Sequence, residues 1–171
     1  MVCDIQEYEF VHMYQSDLVS LQMIRMIKGM QTLNVPVVLT EHIPEEKGAT
    51  LPEIDAVLHE DSESYPRTTF SALADKRIKK KMDGLKAHTL IVCGTEAHIS
   101  VLQTALDALE QGYQVVVAED TISARTMADK QSAINRLTQE GAKSGTVESI
   151  LFELCGDTAA QEYKAVAKLV G

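Results

Sequence analysis

The sequence predicts a single α/β domain on a parallel, doubly wound sheet, a Rossmann-like three-layer arrangement. Three observations carry this. Short apolar runs alternate with longer helical patterns along the 171 residues. The runs Leu90–Cys93 and Val115–Ala118 are apolar without a polar alternate, as in strands covered on both faces. No linker, repeat or low-complexity segment interrupts residues 1–171, so one core is expected.

The elements follow in order. Val2–Ile5 is a brief apolar run around Asp4. Over residues 16–33, Val19, Met23, Met26, Ile27 and Met30 fall on one helical face, and that methionine stripe reads as core rather than interface. Asn34 stops the helix, and Val35–Thr40 reads as a buried strand. Ile43–Pro52 is punctuated by proline and glycine and reads as loop. Residues 71–83 predict a helix whose run Lys76–Lys81 is a solvated face. Leu90–Cys93 is the clearest strand. It ends at Gly94, and a helix carrying Leu102, Ala105, Leu106 and Leu109 closes at Gly112. Val115–Ala118 is the next strand, followed by a helix over 128–140 and a short strand in Ala142–Thr146. Thr146 can cap a helix over Val147–Cys155, and Asp157 a last helix to Val170.

Composition narrows the function. Lys and Arg total 16 against 25 Asp and Glu, a net charge of −9. Nucleic-acid binding and attachment to anionic membranes both need basic surface, so both are disfavoured. No apolar stretch approaches the roughly 18 residues of a membrane helix, and no signal peptide opens the chain. The three cysteines, Cys3, Cys93 and Cys155, have no zinc spacing, and reduced thiols in the cytoplasm are the simplest account. There is no GxGxxG and no GxxxxGK[ST], so no dinucleotide or nucleotide cofactor is expected. His42 beside Glu41 is the weak candidate for a metal ligand, and none is assigned.

In parallel α/β sheets, ligands sit beyond the carboxyl ends of the strands. That rule selects Asp4-Ile5-Gln6, Thr40-Glu41-His42, Gly94–Ser100 and Glu119-Asp120. A carboxylate at the end of a buried strand is costly unless paired or used, which singles out Asp4. Ser100 falls where a helix starts and N–H groups are free, a place for a cap or an oxyanion.

Four segments then carry a resemblance: Asp4-Ile5-Gln6, Arg67-Thr68-Thr69-Phe70-Ser71, Cys93–Ala105 with its Gly-Thr-Glu-Ala-His stretch, and Ala118–Arg125. In order and spacing the chain resembles the isochorismatase-like cysteine hydrolases, over nearly its whole length. That resemblance implies an Asp–Lys–Cys triad, in which Asp takes the thiol proton and Cys attacks an amide or related carbon. Carried over, Asp4 is present, the Lys position holds Arg67, and the Cys position holds Ser100. It further implies a cis peptide between Thr95 and Glu96, an oxyanion hole from the N–H groups of Glu96 and Ser100, and a pocket including Thr95, His98 and Phe70. The family's first strand begins several residues earlier, and its members self-associate, which implies a homo-oligomer here.

The replacements change the chemistry. A thiol ionises near pH 8.5, whereas a serine hydroxyl needs a strong adjacent base. Arg67 keeps its charge but gives up no proton, and its fork favours a bidentate clamp on a carboxylate. An Arg67–Asp4 pair is expected to hold Asp4 ionised. Two functions from different classes remain: altered or impaired hydrolysis of a small amide or enol ether, or a pseudoenzyme that binds a small molecule or serves as an oligomeric scaffold.

Overall fold

The computed structural model describes residues 1–59 and 62–171. In chain order it contains β1 (Val2–Cys3), α1 (Glu7–Phe10), α2 (Ser16–Thr32), β2 (Leu39–His42), α3 (Pro44–Lys47), α4 (Pro52–Asp55) and β3 (Ser64–Arg67). A 3-10 turn (Ala72–Ala74), α5 (Lys76–Leu85), β4 (Thr89–Gly94), a π-turn (Ala97–Val101), α6 (Leu102–Glu110) and β5 (Gln114–Ile122) follow. The chain closes with α7 (Met127–Gln139), β6 (Lys143–Gly145), α8 (Val147–Cys155) and α9 (Tyr163–Val170).

All six strands are parallel, in the order β3-β2-β1-β4-β5-β6. The order reverses between β1 and β4, which opens a crevice at their carboxyl ends. Side chains alternate across the sheet. Leu90, Val92, Val115 and Val117 join Ile78, Ala105 and Leu137 of α5, α6 and α7 on one face. Cys93, Ala118 and Val2 meet Met23, Ile27 and Leu151 of α2 and α8 on the other. The methionine stripe of α2 is core, with Met23, Met26 and Met30 between 0% and 5% exposed.

Four expectations shift. β3 was unexpected: Ser-Tyr-Pro-Arg has no apolar run, and Pro66 is tolerated because β3 is an edge strand. β2 starts at Leu39 rather than Val35, since β1 offers Val35–Val37 no partner. The stretch read as loop from Ile43 to Pro52 contains α3, a single turn begun by Pro44, and α4 starts at its last residue. Asp157 does not cap the last helix; it closes a turn onto Ala159 N–H at 2.9 Å, and α9 begins at Tyr163.

The crevice depends on a close approach. Gly94 pairs with Cys3 and has φ +123°, and a Cβ there would lie 2.0 Å from the Cys3 carbonyl oxygen. No side chain fits that gap. Gly94→Ala is therefore expected to lower unfolding stability by more than about 2 kcal/mol in urea denaturation. Gly84→Ala in α5, where a Cβ meets nothing within 4 Å, should raise it by about 0.5 kcal/mol.

Candidate active site

Asp4 leaves β1 in the left-handed region at φ 56°, which turns its carboxylate into the crevice. The backbone is fixed on both sides. Its N–H donates to the Thr40 carbonyl at 3.0 Å, and its carbonyl accepts from the Thr95 hydroxyl at 2.6 Å. The carboxylate accepts from the Thr40 hydroxyl at 3.0 Å and from Arg67 at 2.5 Å. Arg67, at the end of β3, has a side chain 0% exposed against 6% for Asp4. Its guanidinium is shared. One terminal nitrogen meets Asp4, the other donates to the Thr69 carbonyl, and Nε is buried without a partner. The expected two-pronged clamp on the carboxylate is therefore a single contact.

The direction of the Asp4 pKa also departs from expectation. Burial pushes it above the ordinary carboxylate value, and Arg67, then the Ser100 and Thr40 hydroxyls, pull it only partly back. Asp4 is thus a stronger base than an exposed aspartate, despite its ion pair.

Ser100 is the fourth residue of the π-turn, rather than the first of a helix, and is 4% exposed. The turn is held by Ala97 N–H donating to the Ser123 carbonyl at 2.6 Å. The Thr95–Glu96 peptide is cis. The Thr95 hydroxyl is committed to Asp4, so it anchors the loop. Glu96 turns toward Arg125, with Oε1 2.9 Å from Nε in an ion pair too bent for a hydrogen bond. His98 also faces Arg125, Nε2 lying 3.5 Å from a guanidinium nitrogen, and its Nδ1 is buried and unpartnered. Phe70 is half exposed and lies 5.4 Å from the His42 ring, centroid to centroid.

The fold thus brings Asp4 and Arg67 into contact, with Thr95 behind them and the Ser100 hydroxyl near enough to act on the Asp4 pKa. Glu96, His98 and Arg125 form a second polar group on the same loop, and Phe70 covers His42. Arg125 and Thr40 were not among the candidate site residues, and His42 was named only as a weak candidate for a metal ligand. Arg125 closes the fourth resembling segment, and Thr40 and His42 stand at a strand end the crevice rule had selected. His42 is 4% exposed, its ring 3.3 Å from the Thr68 carbonyl, and burial, Lys47 and Arg67 lower its pKa. A buried, less basic imidazole committed to a carbonyl is a packing element. Among the described residues no three His, Cys, Asp or Glu side chains converge as metal ligands.

No activated thiol stands here. Burial, reinforced by the Asp4 charge, pushes Cys3 up to about 12. Cys93 is buried and raised as well. Cys155 lies at the end of α8, away from the crevice.

The isochorismatase domain family matches residues 1–149. The chain is 37% identical to isochorismatase domain-containing protein 2 of Bos taurus over 171 residues, covering 99% of this chain and 80% of that protein. Among solved structures it is similar to a Caenorhabditis elegans protein described as MAR1 ribonuclease, with TM-score 0.94, 31% identity and coverage of 99% and 86%. It shares the fold of the Escherichia coli YcaC gene product, described as an octameric hydrolase of unknown specificity, at TM-score 0.92, 23% identity and coverage of 98% and 83%.

Breaking the buried pair gives a measurable signature. Arg67→Leu leaves the Asp4 carboxylate buried without its partner, at an expected cost of about 3–5 kcal/mol near neutral pH. The Asp4 pKa then rises further above its unfolded value. A carboxyl that holds its proton more tightly when folded adds stability at low pH that is lost as pH rises through the folded pKa. The deficit against wild type should therefore shrink as pH falls, measured by denaturant unfolding across pH.

Proposed function

The chain belongs to the isochorismatase family, and we propose that it hydrolyses a small amide or related acyl compound with Ser100 in place of a thiol. What supports this reading is the buried Ser100 hydroxyl, close enough to pull down the pKa of Asp4, while burial raises that pKa above the ordinary carboxylate value. In the proposed cycle the Ser100 hydroxyl passes its proton to Asp4 while Oγ bonds to the carbonyl carbon. The carbonyl electrons move onto oxygen and are met by the N–H groups of Glu96 and Ser100. The C–N bond then breaks, and the leaving nitrogen takes the proton from Asp4. Water repeats the sequence and releases the acid from Ser100. Arg67 holds the position of Asp4 throughout and offers charge to the developing oxyanion. On an enol ether, Asp4 would act as proton donor without Ser100.

One observation favours a second reading. Arg67 sits 2.5 Å from Asp4 and gives up no proton, so the carboxylate is partly occupied by a partner a lysine would release more readily. On that reading the crevice binds a small molecule without turning it over. The ribonuclease description belongs to the nematode protein. A net charge of −9 weighs against RNA as the substrate here.

We further propose self-association in the cytoplasm. Tyr8, Val11, Leu18 and Leu21 on and around α1 and α2 are exposed apolar side chains that a second copy would cover. The three cysteines are unpaired, as suits a reducing compartment. Among the described residues no helix is long and apolar enough to cross a membrane.

The test is a panel of small amides, esters and enol ethers, with adducts followed by intact mass. Wild type should turn over at least one, and Asp4→Asn should lose at least about 100-fold. Ser100→Ala should abolish both the acyl adduct and amide turnover while sparing enol ether cleavage. Activity only in the Arg67→Lys/Ser100→Cys double variant would instead establish the binding-only reading.

A further inference from the structure

The charges at the carboxyl end of the sheet come in pairs. Arg67 meets Asp4 at 2.5 Å, with both side chains buried. Arg125 meets Glu96 at 2.9 Å, and there the acid is the more buried member, its side chain 12% exposed against 61% for the arginine. Lys47, near enough to His42 to lower its pKa, is held by Glu9 at 2.7 Å. Lys130 of α7 has Asp120 and Glu119 as its charged neighbours. Each of these cations has an acid beside it. His42, less basic than a free imidazole, adds no charge at neutral pH.

The side chains that flank the two arginines are apolar and open. Phe70, three residues after Arg67, and Met127, two after Arg125, are both more than half exposed. A ligand carboxylate entering between them would lose hydration and find no free guanidinium to replace it. It could gain one only by displacing Asp4 or Glu96, and the displaced acid would then be the unpaired charge. The net charge of −9 adds long-range repulsion. An uncharged group of the same shape meets none of these costs. A site rejects a competitor by leaving its charge unanswered.

We propose that the crevice takes an amide that carries no anionic group, and that Glu96 sets this preference by occupying Arg125. The proposal takes its chemistry from the hydrolase reading, but the selection is made in binding. Arg125 is the deciding cation because it is the exposed one. Arg67 is spent on Asp4 and the Thr69 carbonyl, with its side chain fully buried. The Arg125 guanidinium reaches solvent, and it could clamp a ligand carboxylate if Glu96 did not hold it.

The probes are succinamide and succinamate, which share one shape and differ by one charge. Each is titrated into the full chain at neutral pH and followed by amide NMR over residues 94–100, with ammonia release measured in parallel. Wild type should bind succinamide at least about tenfold more tightly than succinamate. Glu96→Gln keeps the shape of the side chain and frees the Arg125 charge. It should move that ratio at least about tenfold toward succinamate, and adding Arg125→Gln should undo the move. Equal or tighter binding of succinamate by wild type would overturn the inference. So would a ratio that Glu96→Gln leaves unmoved, or no binding of either probe at up to about 100 mM. The wild-type comparison depends on no variant folding. Selective binding of succinamide without ammonia release would count against the hydrolase reading alone. Ammonia release that favours succinamate would count against this inference alone.

Discussion

The buried ion pair between Asp4 and Arg67 is the constraint on which the crevice depends. It joins the end of β1 to the end of β3 across β2, whose Thr40 hydroxyl bonds to the same carboxylate. β3 is a four-residue edge strand with a proline and only one buried residue, Arg67 itself. Its end is placed by a charge seeking its partner more than by apolar packing. The network continues through the Asp4 backbone to Thr95, and from the loop after β4 to Ser123 at the end of β5. Four strand ends are thus coupled through polar contacts in a volume nearly closed to water. Neither ion is tolerable there alone, so each fixes the other.

The electrostatics follow from that closure. A guanidinium at contact distance would ordinarily hold a carboxyl low. Here the loss of hydration outweighs it, and the resultant shift is upward. The same burial lowers the His42 pKa and raises those of Cys3 and Cys93. One cause acts on Asp4, His42, Cys3 and Cys93 and disfavours the charged form of each. A raised carboxyl facing a hydroxyl is the pairing from which general-base chemistry can be built. An inert imidazole and two inert thiols around it do not compete for the proton.

Much of this was legible in the sequence. The unbroken apolar runs marked the central strands, and the glycines at 94, 112 and 141 marked where they and the helices end. The rule for strand ends selected Asp4 and the 94–100 loop, and the family resemblance added Arg67 and assigned Ser100 its position. The rest was hidden for physical reasons. β3 has the composition of a turn and is a strand only because β2 supplies its hydrogen bonds. The lead-in Val35–Val38 is as apolar as a strand, but pairing depends on the length of β1, which no local pattern encodes. Arg125 is a surface-type residue whose partners, Glu96 and His98, come from a different loop. The sign of the Asp4 shift depends on how thoroughly the pair is desolvated, and that is a property of packing.

The locked sulfur atoms have a consequence for damage. Oxidation and alkylation proceed through the thiolate, and a thiol raised to about 12 offers almost none at neutral pH. With a hydroxyl at position 100, the described residues bring to the crevice no thiol ionised enough for peroxide or an electrophile to convert readily to a sulfenic acid or a thioether. The sulfurs of Cys3 and Cys93 are thereby shielded from reagents that need a thiolate, and the packing that sets the crevice protects them as well.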